Sequence, residues 1–144
     1  PAEVKLAVPT DAYLPTDYVA KEELRLEAYR RLAAVTDQAE VDDIRAEWQD
    51  RYGPLPAPAE ALLHVATLRA ECHRLGLRDV QIVGGQARVG PIELKTSEEL
   101  RLRRLSRAAL IKPAQRQLVV RIPRGDEPAR FLVGLLRELV PPAG

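Results

Sequence analysis

The chain has 144 residues, 46% hydrophobic and 30% charged, the composition of a globular protein large enough for one domain with a core of its own. Aromatics make up only 4%, so that core must be built from Leu, Val and Ala; no apolar run approaches the roughly 18 residues of a membrane span, and no signal peptide opens the sequence. The lone Cys72 excludes an internal disulfide and fits a reducing compartment.

Net charge is +1, but residues 1–76 carry 9 basic and 14 acidic side chains while residues 77–144 carry 13 and 7, for nets of −5 and +6. An acidic half and a basic half can meet each other or face different partners. The absence of Met and the opening Pro1 suggest a single domain, residues 1–144, cut from a longer multidomain chain.

Residues 2–8 alternate apolar and polar and predict a strand that Pro9 ends. In DAYLPTDYVAKEEL, Pro15 and Asp17 break any helix, and an extended segment pinned by the rings of Tyr13 and Tyr18 is expected. A first helix over residues 20–35 places Leu24, Ala28, Leu32 and Val35 on one side, and Leu26, Tyr29 and Ala33 widen the apolar arc, so cover on more than one side is expected. After a tight turn it pairs with a second helix in an αα-hairpin. Pro54 to Glu60 is a stiff connector into a third helix, which buries Leu62, Val65, Ala66, Leu68 and Cys72 and ends at Gly76 with a Schellman contact from Leu77.

The period then changes from helical to strand-like. Arg78 to Gly90 reads as two strands around a Gly84-Gly85 turn, with Pro91 to Leu94 expected to extend the second. Thr96 and Glu99 form a T-x-x-E capping box for a short helix to about Arg107. Gln117 to Pro123 is dense in β-formers, and Asp126 caps a last helix whose core face is Phe131, Leu132, Leu135, Leu136 and Leu139. The expected class is α+β: three helices in the N-terminal half, packed with a small β-sheet and two further helices in the C-terminal half.

The second helix, Asp37 to Tyr52, is the most informative stretch. Val41, Ile44, Trp48 and Tyr52 share one side, Asp37 and Glu40 make a D-x-x-E capping box, and Gly53-Pro54 stops it, with Gly53 expected in the left-handed conformation. At 100° per residue Asp43, Glu47 and Asp50 line a second face, and Arg51 is placed to pair with Glu47. Such a stripe is either a solvated surface or a contact face. Glu47 and Asp50 occupy the last turn, where the helix dipole disfavours carboxylates by about 0.3–1 kcal/mol each. A sequence chosen only for helix stability would place Lys or Arg there.

Catalytic signatures are thin. His64 and His73 lie near Cys72 and Glu60, but Glu60 and His64 give only two ligands at i, i+4, short of a closed metal site. No nucleotide cradle is present, Ser97 and Ser106 have no recognisable histidine partner, and no cofactor is expected. A hydrolase would need a deep pocket around His64 or His73. A stronger rival is nucleic-acid binding: Arg101, Arg103, Arg104, Arg107, Lys112, Arg116, Arg121 and Arg124 cluster in sequence and suit phosphate, although no aromatic interleaves them.

DAYLPTDYV, EELRLEAYRRLA, the E-x-x-D-R-Y-G-P-L-P run from Glu47 to Pro56, and ALLHVATLR together resemble the C-terminal domain of the bacterial transcription-repair coupling factor, Mfd. The likeness covers about residues 3–80 and is looser after Arg78. It implies a non-catalytic, autoinhibitory module of a cytoplasmic DNA translocase, with the motor motifs elsewhere in the parent. It implies that the module packs on the UvrB-like domain of the same polypeptide and masks the surface that recruits UvrA. RNA polymerase and DNA would then be engaged through other domains. Carried over by motif, the contact residues are Glu47 and Asp50, with Arg51 and Tyr52 orienting the helix end and Asp43 on the same stripe.

Overall fold

The sheet grows from the Gly84-Gly85 turn. Both glycines hold positive φ, 60° and 75°, the type I′ geometry that matches the twist of flanking strands. In the computed structural model, which describes residues 3–143, this turn joins β2 (Asp79–Val83) to β3 (Gln86–Gly90). β5 (Gln117–Arg121) pairs antiparallel with β3, and β4 (Leu110–Lys112) pairs antiparallel with β5 at one edge. At the other edge β1 (Lys5–Ala7) runs parallel to β2, giving a mixed five-stranded sheet of order β1-β2-β3-β5-β4.

Alternation decides which side is buried. Val80, Ile82, Ala87, Val89, Leu118 and Val120 all point inward and join one hydrophobic cluster with Leu68, Leu102, Leu132 and Leu136. Those partners come from α3 (Ala57–Leu75), α4 (Thr96–Leu105) and α5 (Pro128–Leu139). A second cluster, centred on Leu63, Val35, Ile44 and Trp48, lies where α1 (Glu22–Ala33) and α2 (Gln38–Tyr52) rest on α3. Five helices and a five-stranded mixed sheet make this an α+β fold.

α3 serves both clusters. Leu68 and Cys72 face the sheet, while Ala59, Leu63, Ala66 and Ala70 face α1 and α2. At 100° per residue these two sets lie on roughly opposite sides of the helix, so α3 is sandwiched between the layers. It ends as expected: Gly76 has φ 72°, and the Leu77 N–H donates to the Cys72 carbonyl at 2.8 Å, a Schellman motif with Leu77 buried.

Several expectations need correction. The N-terminal strand is three residues long; Val4, Leu6 and Val8 still face the core side, and Ala2 lies outside the described residues. Tyr13 does not pin its segment, being 45% exposed; Leu14 and Val19 are the buried anchors, together with Tyr18. Leu26 is 51% exposed, so α1 is covered on one side only. α1 and α2 pack on α3 more closely than on each other. Pro91 to Leu94 is a loop rather than a strand extension, held where the Ile92 N–H donates to the Arg116 carbonyl at 2.8 Å. α4 is capped one residue early, by Glu98 accepting from the Lys95 N–H at 2.8 Å, instead of by Thr96 with Glu99. Glu127, rather than Asp126, caps α5, accepting from the Ala129 and Arg130 N–H groups.

Candidate interdomain interface

α2 begins as its sequence dictates. The Asp37 carboxylate accepts from the Glu40 N–H at 2.9 Å. The reciprocal half of the box is displaced: Glu40 reaches past the cap to Thr36, accepting from its hydroxyl at 2.8 Å and its N–H at 3.2 Å. The Thr36 hydroxyl, and then its N–H, hold the Glu40 carboxyl below the usual range.

The other end is fixed by tertiary contacts. The Gly53 N–H donates to the Gln49 carbonyl at 3.1 Å. Gly53 has φ 88° but ψ −166°, so the chain leaves α2 extended rather than in the left-handed helical conformation expected. Tyr18 closes this exit: its hydroxyl donates to the Gly53 carbonyl at 2.9 Å and lies 3.3 Å from the Trp48 carbonyl. Its ring tilts against Tyr52 at 5.5 Å between centroids. Burial first, and the nearby Glu60 carboxylate second, push the Tyr18 hydroxyl pKa up. Arg45 clamps α2 to α3 by donating to Glu60 at 2.6 Å, and that bond holds the Glu60 carboxyl below its ordinary value.

On this frame Val41, Ile44 and Trp48 are buried, and Asp43, Glu47 and Asp50 are exposed along the opposing face. Glu47 does not pair with Arg51. It accepts from Arg31 of α1 at 2.7 Å, with both side chains more than 40% exposed, a contact worth about 0.2–1 kcal/mol. Arg51 lies beside the Tyr52 ring, 5.3 Å from its centroid. Among the described residues Asp43 and Asp50 are in no ion pair. The sequence thus points to the face and to Tyr18 as an anchor with a hydroxyl to satisfy, but not to Arg31 or to the Arg45–Glu60 clamp.

The other candidates separate in space. His64 Nδ1 is buried without a hydrogen-bond partner, 3.9 Å from Glu127, and burial lowers the imidazole pKa despite that carboxylate. Burial pushes the Cys72 thiol up to about 12, far from a nucleophile's range. No group of three or more His, Cys, Asp or Glu able to hold a metal occurs among the described residues. The arginine run also divides: Arg101 on α4 donates to the Leu139 carbonyl at 2.7 Å, whereas Arg121 belongs to the sheet. No helix among the described residues is long and apolar enough to cross a membrane.

Comparison with known proteins agrees with this architecture. The TRCF domain family model matches residues 8–105. The transcription-repair-coupling factor of Mycobacterium bovis is 42% identical over 125 residues, covering 86% of this chain and 10% of that protein. Its Escherichia coli K12 counterpart is 37% identical over 91 residues, covering 63% and 8%. This chain thus spans about a tenth of the length of these relatives. A crystal structure of the C-terminal domain of transcription-repair coupling factor shares the fold at TM-score 0.78 and 18% identity, over 96% of this chain and 92% of that one. The chain belongs to the TRCF-domain family, the C-terminal domain of the transcription-repair-coupling factors.

Proposed function

We propose that residues 1–144 form one non-catalytic, autoinhibitory module that packs on the UvrB-like domain of the same cytoplasmic polypeptide. Asp43, Glu47 and Asp50 meet basic residues of that domain, Arg51 orients the helix end, and the contact masks the surface that recruits UvrA. RNA polymerase and the DNA on which the motor translocates are engaged by other domains of the parent. The observation that carries this reading is the acidic face of α2. Its three carboxylates stay exposed, and Asp50 stands in the last helical turn, against the dipole, on a helix whose exit is locked by Tyr18. Local violations of this kind mark functional sites. Glu47 has only a solvent-exposed partner, Arg31, which an incoming arginine can replace at little cost.

The test is binding of this chain to the UvrB-like domain, wild type against Glu47→Ala/Asp50→Ala. Loss of a desolvated charge pair removes about 2–5 kcal/mol of binding energy. The double variant should therefore fail to bind while its circular dichroism is unchanged. Equal binding by both proteins refutes the assignment of the acidic helix. If neither binds in trans, the same substitutions in the full-length parent should release UvrA binding, because the intact chain supplies the effective concentration. A parent that is not released refutes the reading as well.

A further inference from the structure

The sheet has a second face. Helices α3, α4 and α5 all pack against its inward residues, and register places a different set on the outside. Lys5 pairs with Asp79, and Asp79 with Gly90, in one cross-strand row. Ala7, Gln81, Arg88, Val119 and Leu110 form the next row, and Val83, Gln86 and Arg121 a third. Apart from Val119 at the centre, no side chain in these rows is buried: Lys5, Gln81, Val83, Arg88 and Arg121 are exposed. Four cations stand on this face, Lys5, Arg88, Lys112 and Arg121, against one carboxylate, Asp79. None of the four is in an ion pair with a described residue.

The cations follow a geometric order. Lys5 is in the first row on β1, Arg88 in the second on β3, and Arg121 in the third on β5, a diagonal across the sheet. Arg88 and Arg121 are diagonal neighbours on adjacent strands, about 7–8 Å apart at the backbone. Guanidinium forks at that spacing suit successive phosphates. The face carries no aromatic residue, and single-strand readers depend on aromatic stacking of splayed bases. A cationic face without stacking groups favours phosphates over splayed bases, and the backbone is the part that a duplex presents outward.

We propose that the open face of this sheet is a docking surface for the phosphate backbone of duplex nucleic acid, gripped by Lys5, Arg88, Arg121 and Lys112 without base readout. The contact is sequence-independent and strongly salt-dependent. With about four phosphates neutralised, affinity should fall about 150-fold between 50 and 200 mM salt. Removing two cations should cut that fall to about 12-fold.

The experiment is fluorescence anisotropy of a labelled 30-base-pair DNA with the intact chain across that salt range, unlabelled poly-glutamate serving as a competing acidic polypeptide. Arg88→Gln/Arg121→Gln should weaken binding at least tenfold at low salt and halve the salt slope, with unchanged circular dichroism. Arg103→Gln/Arg104→Gln on α4, outside the sheet, should leave both close to wild type. Equal loss from the α4 pair overturns the assignment to the sheet. Tighter binding of a single strand of the same length overturns the duplex, and displacement by poly-glutamate at equal charge reassigns the face to an acidic protein. No binding at 50 mM salt refutes the proposal outright.

Discussion

Tyr18→Phe removes one oxygen and tests how the candidate interface is held. The Tyr18 hydroxyl is the side-chain group that ties the exit of α2 to the segment before α1, through the Gly53 carbonyl at 2.9 Å. A neutral hydrogen bond of this kind contributes about 0.5–1.5 kcal/mol net. The Gly53 carbonyl is partly buried and gains some water when the hydroxyl goes, which keeps the loss near the middle of that range, about 1 kcal/mol. Unfolding entropy for 144 residues is about 0.3 kcal/mol/K, so Tm should fall by about 3 °C. Trp48 is the only tryptophan, is 3% exposed, and lies in α2, so its fluorescence during urea unfolding reports the affected helix directly. The midpoint should drop with an unchanged m-value. Tyr13→Phe is the control, because Tyr13 is 45% exposed and should change nothing. A loss below about 0.3 kcal/mol for Tyr18→Phe, or an equal loss for Tyr13→Phe, would refute the tether.

Gly90→Ala should destabilise by about 1–3 kcal/mol in thermal melts, because its Cβ would sit 2.9 Å from the Arg116 carbonyl oxygen, a backbone atom that cannot swing away. Cys72, fully buried with its thiol raised to about 12, should resist a disulfide reagent at pH 8 and react at the rate of a free thiol in urea; rapid native reaction would contradict the burial. His64 has a folded pKa below its ordinary 6.5, so as pH falls through 6.5 the unfolded chain takes up a proton that the native chain refuses. Stability should therefore decline from pH 7.5 towards 5.5, and His64→Gln should flatten that part of the curve in urea titrations; an unaltered slope would refute the role of His64.

Local chemistry was the legible part of this sequence. The Schellman turn at Gly76-Leu77, the hairpin at Gly84-Gly85 and the Asp37 cap each depend on a few adjacent residues, and each formed as expected. The caps at Lys95 and Glu127 were misread by one position because Thr96 and Asp126 have the better intrinsic capping chemistry. β4 was missed because three residues, LIK, with a half-exposed first position, give no period to read. The acidic face of α2 was legible from helical periodicity, since Asp43, Glu47 and Asp50 must share a side. The Arg31–Glu47 pair was not, because its members are 16 residues apart and are joined only once both helices settle on α3. The arginine run was legible only in part for the converse reason: neighbours in sequence are divided between a helix and a sheet.

The sandwiching of α3 explains why the acidic and basic halves stay unneutralised within one chain. α2 lies on one side of α3 and the sheet on the other, and the acidic stripe and the cationic sheet face both point away from it. They are therefore separated by two packed layers, well beyond the Debye length of about 8 Å at physiological salt. An internal link between the halves is at Glu71, buried in α3, which Arg137 of α5 reaches at 3.5 Å while Arg74, from its own half, holds it at 2.8 Å. That link consumes one carboxylate and leaves both outer faces available. Charge held apart in this way does little for the stability of the fold, because each face repels itself and neither attracts the other. It gives the domain two opposed surfaces of opposite sign, so an acidic-helix partner and a polyanion can be held together without competing for the same residues.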